Sequence, residues 1–125
     1  MNLLLWIAAA LLAAVALAGG VTKTFVPIPT LAATPGGTWT GHTRPAAVRA
    51  LGTLELLAAI GLVLPPILGI APVLVPVTAL CWVLLMLGAM ATHRHFREYL
   101  PIALNALYLA LAAFVAWGRF GPYPF

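Results

Sequence analysis

The chain has 125 residues, of which 64% are hydrophobic and only 6% carry a charged side chain. Soluble domains carry charge at about 25% of their positions, so this composition excludes a water-soluble globular enzyme and a disordered tail. A single cysteine cannot form an internal disulfide framework. The net charge of +4 comes from basic residues scattered beside long apolar runs, which indicates membrane borders and not a nucleic-acid surface.

The first uncharged run predicts a membrane span over residues 2–22. Between Leu3 and Ala18 it contains only Leu, Ala, Val, Ile and Trp. About 20 such residues in a helix cross the roughly 30 Å hydrocarbon core of a bilayer. A cleaved signal peptide is the alternative, because residues 16–18 resemble a cleavage site, but no Lys or Arg precedes the run. We therefore expect a retained first span.

The second uncharged run, residues 56–92, is too long for one span and is interrupted by Pro65 and Pro66. A proline offers no N–H and disfavours helix at the residue before it. We therefore expect the second span to cover residues 45–64 and the third to cover residues 72–91. Pro72 can lie in the first turn of the third span, and Pro76 is expected to bend it.

The last apolar stretch predicts a fourth span over residues 99–118, whereas residues 23–44 are rich in proline and glycine and predict a loop. None of these runs alternates in polarity as the strands of a membrane barrel do. We therefore predict an all-α protein, with residues 1–125 forming a single transmembrane domain built as a four-helix bundle. Arg119, Tyr123 and Phe125 are expected to anchor the tail at the membrane interface.

The basic residues predict an orientation. Five of them lie in or beside the first and third connections, namely Lys23, Arg44, Arg49, Arg94 and Arg97. The opposite side holds only Arg119 and the amino terminus. The positive-inside rule then predicts cytoplasmic charged loops and both termini outside. The excess of Arg over Lys, with abundant Ala and Gly, indicates a bacterial chain and hence an inner membrane.

Glu55 is a charged residue inside a predicted membrane span, a position that hydrophobicity does not explain. It lies ten positions into the second predicted span, and therefore about 15 Å deep. An ionisable side chain there costs about 2.5–3.5 kcal/mol on insertion scales. The nearest residues on its helical face are small, namely Gly52, Ala58 and Ala59, and small residues allow helices to approach closely. Glu55 is thus expected to point into a seam between helices.

Other segments bring polar side chains to the same half of the bilayer. Lys23 closes the first span, His93 ends the third, and Asn105 lies in the fourth with Tyr108 on the same face. Arg49 is six positions from Glu55, a spacing that does not favour a direct pair along one helix. We predict an intramembrane pocket whose ligand-binding residues are Glu55, Arg49, Gly52, His93, Asn105, Tyr108 and Lys23. The alternative is a buried structural network that sets helix register.

Other candidate sites have less support. His93, His95 and Glu98 could supply metal ligands, but histidines two positions apart do not share a helical face, so a solvated loop fits better. Cys81 lies in mid-span as a small hydrophobic residue, and Trp82 reads as a packing or interface aromatic. The chain contains no serine, which excludes a serine nucleophile, and we do not expect an enzyme that acts on its own.

The stretch from Arg49 to Pro66, with Gly52, Glu55 and a Leu-Pro-Pro exit, resembles the second-span signature of DoxX-like membrane proteins. Weaker pieces resemble the other spans in the same order, namely Gly20 with Lys23, Ala71-Pro72 with Pro76, Thr92-His93 and Gly118-Arg119. The resemblance implies a four-helix membrane bundle. It also implies that family functions depend first on Arg49, Gly52 and Glu55, and second on His93 and Lys23.

The family name comes from a subunit linked to thiosulfate:quinone oxidoreduction, and other members are partners in bacterial redox-stress complexes. The resemblance and the predicted pocket together favour an accessory inner-membrane protein. It would bind a lipid or a quinone and support a membrane partner, or pair with a second copy. Two alternatives stay open: a scaffold or assembly factor whose polar cluster only stabilises the bundle, and a proton-coupled carrier that would need to dimerise.

Overall fold

The computed structural model describes all residues from Met1 to Phe125 and contains helices and no strand. Four long helices are each apolar and long enough to cross a membrane. They are α1 (Asn2–Phe25), α3 (Pro45–Leu68), α4 (Leu74–His95) and α5 (Tyr99–Phe120). A short helix α2 (Ile28–Ala32) and a 3₁₀ helix (Thr38–His42) connect α1 to α3. The all-α class and the multi-pass membrane architecture are confirmed.

The four long helices pack as two pairs. Helix α1 packs most extensively against α3, and α4 against α5, whereas the α1–α5 and α3–α4 contacts are smaller. The core between the pairs includes Leu12, Leu62, Val75 and Val115, all fully buried. Many other leucines stay exposed, because lipid tails are as apolar as the side chains that face them.

The expectation that Pro65 ends the second span is wrong, because α3 continues through both prolines to Leu68. The prolines lie in the last turn, and their carbonyl groups accept hydrogen bonds from beyond the helix. The N–H of Ile70 donates to the Pro65 carbonyl at 3.0 Å, and the N–H of Gly69 donates to the Pro66 carbonyl at 3.3 Å. Gly69 adopts the left-handed conformation, with φ of 68°, that this type of helix end requires.

Helix α4 begins at Leu74, so Pro72 lies before the helix, in the preceding turn. The sequence predicts a bend at Pro76, but this residue lies too near the helix start to interrupt a helical hydrogen bond. Pro76 occupies the first turn of α4, where a backbone N–H has no acceptor within the helix. The other long helices extend beyond the predicted ends, α1 to Phe25, α4 to His95 and α5 to Phe120.

The composition of residues 23–44 predicts a loop, but the segment is largely helical. The end of α1, helix α2 and the 3₁₀ helix occupy much of it. Pro29 lies at the start of α2, where its missing N–H removes no helical hydrogen bond. Hydroxyl groups stabilise the turns: Thr34 Oγ1 donates to the Leu31 carbonyl at 2.6 Å, and Thr40 Oγ1 donates to the Gly37 carbonyl at 2.7 Å. The segment is therefore a folded cap over one end of the bundle.

Arg119, expected as an interface anchor, is only 5% exposed. Its guanidinium lies 3.9 Å from the ring centroid of Phe125, and Nη1 donates to the Tyr123 carbonyl at 3.0 Å. The tail after α5 therefore folds back over Arg119 and pairs its Nη1, whereas the buried Nη2 has no hydrogen-bond partner.

The α1–α3 pair is close because glycines face each other across it. A Cβ atom on Gly20 would lie 2.9 Å from the Gly52 carbonyl oxygen. A Cβ atom on Gly52 would lie 2.6 Å from Thr24 Oγ1 and 2.8 Å from the Thr24 backbone nitrogen. Gly52 therefore sets the distance between the two helices.

We expect Gly52→Ala to lower the free energy of unfolding by about 1–3 kcal/mol, because the added methyl group forces α1 away from α3. Gly88→Ala is the matched control, since nothing lies within 4 Å of the position its Cβ would take. It should be neutral or stabilising by up to about 1 kcal/mol, as expected for Gly→Ala in a helix. SDS titration of the protein in mixed micelles measures both values, and equal effects would contradict the close packing.

Candidate functional site

Glu55 is buried in the seam between α1 and α3, with 6% of its surface exposed. Lys23 Nζ, from the last turn of α1, donates to Glu55 Oε2 at 3.0 Å. Gly19 leaves room for this ion pair, since a Cβ atom there would lie 2.7 Å from Glu55 Oε2 and 3.2 Å from Lys23 Nζ. The partner of Glu55, which sequence reasoning left open, is therefore Lys23.

Arg49 does not contact Glu55, in agreement with the spacing argument. Its Nη1 donates to the backbone carbonyls of Lys23 at 2.9 Å and Val26 at 2.6 Å. These carbonyls are among those left unpaired at the end of a helix, where the helix dipole also favours a positive charge. Arg49 thus holds the end of α1 in place and positions Lys23 beside Glu55.

A cavity of about 560 Å³ lies against the ion pair and is called the Glu55 cavity below. Every helix and the connecting cap contribute to its wall. Five of the seven predicted ligand-binding residues line it, namely Lys23, Glu55, His93, Asn105 and Tyr108. Arg49 and Gly52 do not line it; they act on the α1–α3 seam behind it.

The cap closes the cavity from the end of the bundle at which α1 ends and α3 begins. Leu31, Gly36, Trp39 and Thr40 line the cavity from this segment. Sequence reasoning missed these residues, because a proline- and glycine-rich stretch gives no periodic signal from which a lining face could be assigned.

His93 is held at the wall of the cavity by an acidic neighbour. Its Nδ1 lies 3.3 Å from Glu98 Oε1, and both side chains are largely buried. His95 instead packs edge-on against Phe96, at 5.0 Å between ring centroids. The two histidines therefore point to different surroundings, and no group of three His, Cys, Asp or Glu side chains is placed to hold a metal ion.

Two residues that line the cavity each carry a buried side-chain nitrogen with no hydrogen-bond partner within the protein. These nitrogens are Trp82 Nε1 and Asn105 Nδ2. A buried donor left unpaired costs about 1–3 kcal/mol, so each of the two lowers the stability of the bundle as it stands. Sequence reasoning assigned Trp82 to packing or to the interface, and the structure confirms packing in the buried core. The unpaired N–H was not predicted; the available signal was that an indole N–H deep in a membrane span needs a partner.

The site therefore combines an internally neutralised ion pair, two free donors and an apolar wall. Leu51, Leu85 and Met86 supply part of that wall. The space beside the ion pair is therefore mainly apolar, with few polar groups around it. It offers no hydroxyl or thiol nucleophile activated by a neighbouring base.

The contact between Lys23 and Glu55 predicts that substitutions at the two residues have strongly non-additive effects on the free energy of unfolding. Lys23→Met leaves a buried carboxylate without a partner, which we expect to lower the free energy of unfolding by about 3–5 kcal/mol. Adding Glu55→Leu removes that carboxylate, so the double variant should recover most of the loss. SDS titrations of both single variants and the double variant measure the coupling energy; simple additivity would show that the two charges do not interact.

The sequence profile of the DoxX-like family matches residues 7–115, a range that includes parts of all four long helices and the whole Glu55 cavity wall. No curated protein and no solved structure matches the chain. The chain thus belongs to the DoxX-like family, as the residues of its second span predicted.

Proposed function

We propose that this protein is an accessory subunit of the bacterial inner membrane that binds a small lipophilic molecule, a lipid or a quinone, in the Glu55 cavity and supports a redox-linked membrane complex. One observation carries the binding proposal: Trp82 and Asn105, each with a buried donor that has no partner, line the same cavity as a buried ion pair. The cavity volume of about 560 Å³ is within the usual range for small-molecule sites.

The charges around the cavity favour a ligand with an uncharged head. Lys23 is neutralised by Glu55, and His93 lies beside Glu98. A strongly ionic ligand would have to compete with these pairs in a low-dielectric site. Carbonyl, ether or hydroxyl oxygens, in contrast, would accept from Trp82 Nε1 and Asn105 Nδ2 once these side chains rotate to turn the buried nitrogens toward the cavity, and neither pair would be disturbed.

The supporting role in a complex and the orientation follow from other observations. The role rests on membership in the DoxX-like family. The orientation rests on three exposed arginines at the end of the bundle where the cap lies, namely Arg44, Arg94 and Arg97. The positive-inside rule assigns that end to the cytoplasm, so the Glu55 cavity belongs to the cytoplasmic half of the bilayer.

A purely structural role is the second candidate function. Arg49 and Gly52 favour it, because both stabilise the α1–α3 seam and neither lines the cavity. In that case the ion pair only fixes helix register, and the protein serves as a scaffold for other membrane proteins.

Binding is tested with decylubiquinone and with monoolein, in separate titrations of the protein followed by native mass spectrometry. Trp82→Phe and Asn105→Leu each remove one donor while keeping most of the side-chain volume, and we expect each to weaken binding about fivefold to tenfold. Trp117→Phe is the control, because Trp117 is exposed and lies outside the cavity.

The three outcomes separate the candidates. Binding of one probe that depends on Trp82 and Asn105 supports the proposal and identifies the ligand class. Binding that none of the variants changes would show that the probe binds outside the Glu55 cavity. Failure of both probes to bind the wild-type protein would favour the scaffold.

A further inference from the structure

We propose that a cleft between α3 and α4 admits the apolar chain of the ligand laterally from the bilayer, so that the ligand is an amphiphile whose uncharged head occupies the Glu55 cavity. This inference rests on the proposed function. It adds a second binding region, a route of access and a requirement for a chain on the ligand.

The cleft has a volume of about 460 Å³ and adjoins the Glu55 cavity. Four residues line both spaces, namely Leu51, Glu55, Trp82 and Leu85. The same four residues therefore stand between the two spaces. A molecule in the cleft therefore already contacts the walls of the Glu55 cavity.

The outer part of the cleft faces the lipid. Leu54 and Leu57 line it from α3 and are 62% and 58% exposed, and Cys81 lines it from α4 and is also exposed. Eight of its ten lining residues are hydrophobic. An apolar lining open to hydrocarbon suits a hydrocarbon chain; the two other lining residues are Thr78 and Glu55.

The cleft exists because α3 and α4 approach closely at only part of their length. A Cβ atom on Gly61 would lie 2.6 Å from Thr78 Oγ1, so the two helices are in tight contact near the turn that joins them. Toward Glu55 the facing side chains are larger, with Leu54 on α3 and Trp82 on α4, and the contact between these helices is small compared with that of α1 and α3.

The lining residues become more polar from the lipid-facing end of the cleft toward the Glu55 cavity. The cleft begins among leucines, reaches Trp82 at the junction and ends beside Asn105 and the Lys23–Glu55 pair. Trp82 lines both spaces, is 3% exposed and has an Nε1 that is buried without a partner. A ligand with an acceptor-bearing head and an apolar tail matches this order of surfaces.

Cys81 is the only cysteine of the chain, so it reports on the cleft without any engineered label. The protein in lipid nanodiscs is treated with methyl methanethiolsulfonate, a small membrane-permeant reagent, and modification is followed by intact mass. Decylubiquinone, which has a chain, is compared with duroquinone, which has none. Both quinone rings are fully substituted, so neither adds to the thiol.

We expect decylubiquinone at saturation to slow modification of Cys81 at least about fivefold, and duroquinone to leave it unchanged although it binds. Leu54→Trp narrows the mouth of the cleft and should weaken decylubiquinone binding about tenfold without changing duroquinone binding. Leu107→Trp is the matched control, because Leu107 is a similarly exposed leucine on α5 that lines neither space.

Failure of both quinones to bind the wild-type protein would contradict the proposed function for this ligand class and remove this inference with it. Equal binding of both, with Cys81 unprotected and Leu54→Trp without effect, would overturn the cleft alone and leave the Glu55 cavity as the site. Protection of Cys81 that rises with the protein-to-lipid ratio and needs no ligand would show that a second copy fills the cleft, and would also overturn the inference.

Discussion

The structure depends on one ion pair inside the membrane-spanning part of the bundle. Lys23 is the only lysine of the chain, and Glu55 is one of its two acidic residues. Either charge alone would be costly in hydrocarbon, but together they form a neutral, hydrogen-bonded unit between α1 and α3. Several neighbouring features serve this unit: Gly19 leaves space for it, Gly52 allows the helices to approach, and Arg49 holds the end of α1.

The two helix pairs contribute different chemistry to the same space. The α1–α3 pair supplies charges that satisfy each other, whereas the α4–α5 pair supplies donors, on Trp82 and Asn105, that nothing in the protein satisfies. Each unpaired buried donor lowers stability. The proposed ligand site rests on the fact that two of them belong to residues that line one cavity beside the ion pair.

Much of this site could be predicted from the sequence, because the membrane restricts what a charged residue can do. Glu55 had to turn inward, and its small neighbours showed which face was the seam. Errors arose where residue preferences depend on position. Pro65 and Pro66 were expected to end α3, but the helix continues through both and ends where Gly69 adopts a left-handed conformation. Pro29 lies in the first turn of a short helix in a segment expected to be a loop. The packing role predicted for Trp82 is confirmed, since it lies in the buried core, but a sequence does not show whether its indole N–H has a partner.

The central claim is that Lys23 and Glu55 are in direct contact within the bilayer, and solid-state NMR of the protein in lipid tests it most directly. With ¹⁵N in the single lysine and ¹³C in the glutamate carboxyl groups, only two carboxyl signals are present, from Glu55 and Glu98. A separation of 3.0 Å between Nζ and Oε2 predicts strong ¹⁵N-dependent dephasing of one signal and none of the other. If both carboxyl signals persisted without dephasing, the charges would be apart, and the cavity built around their pairing would not exist in the form described.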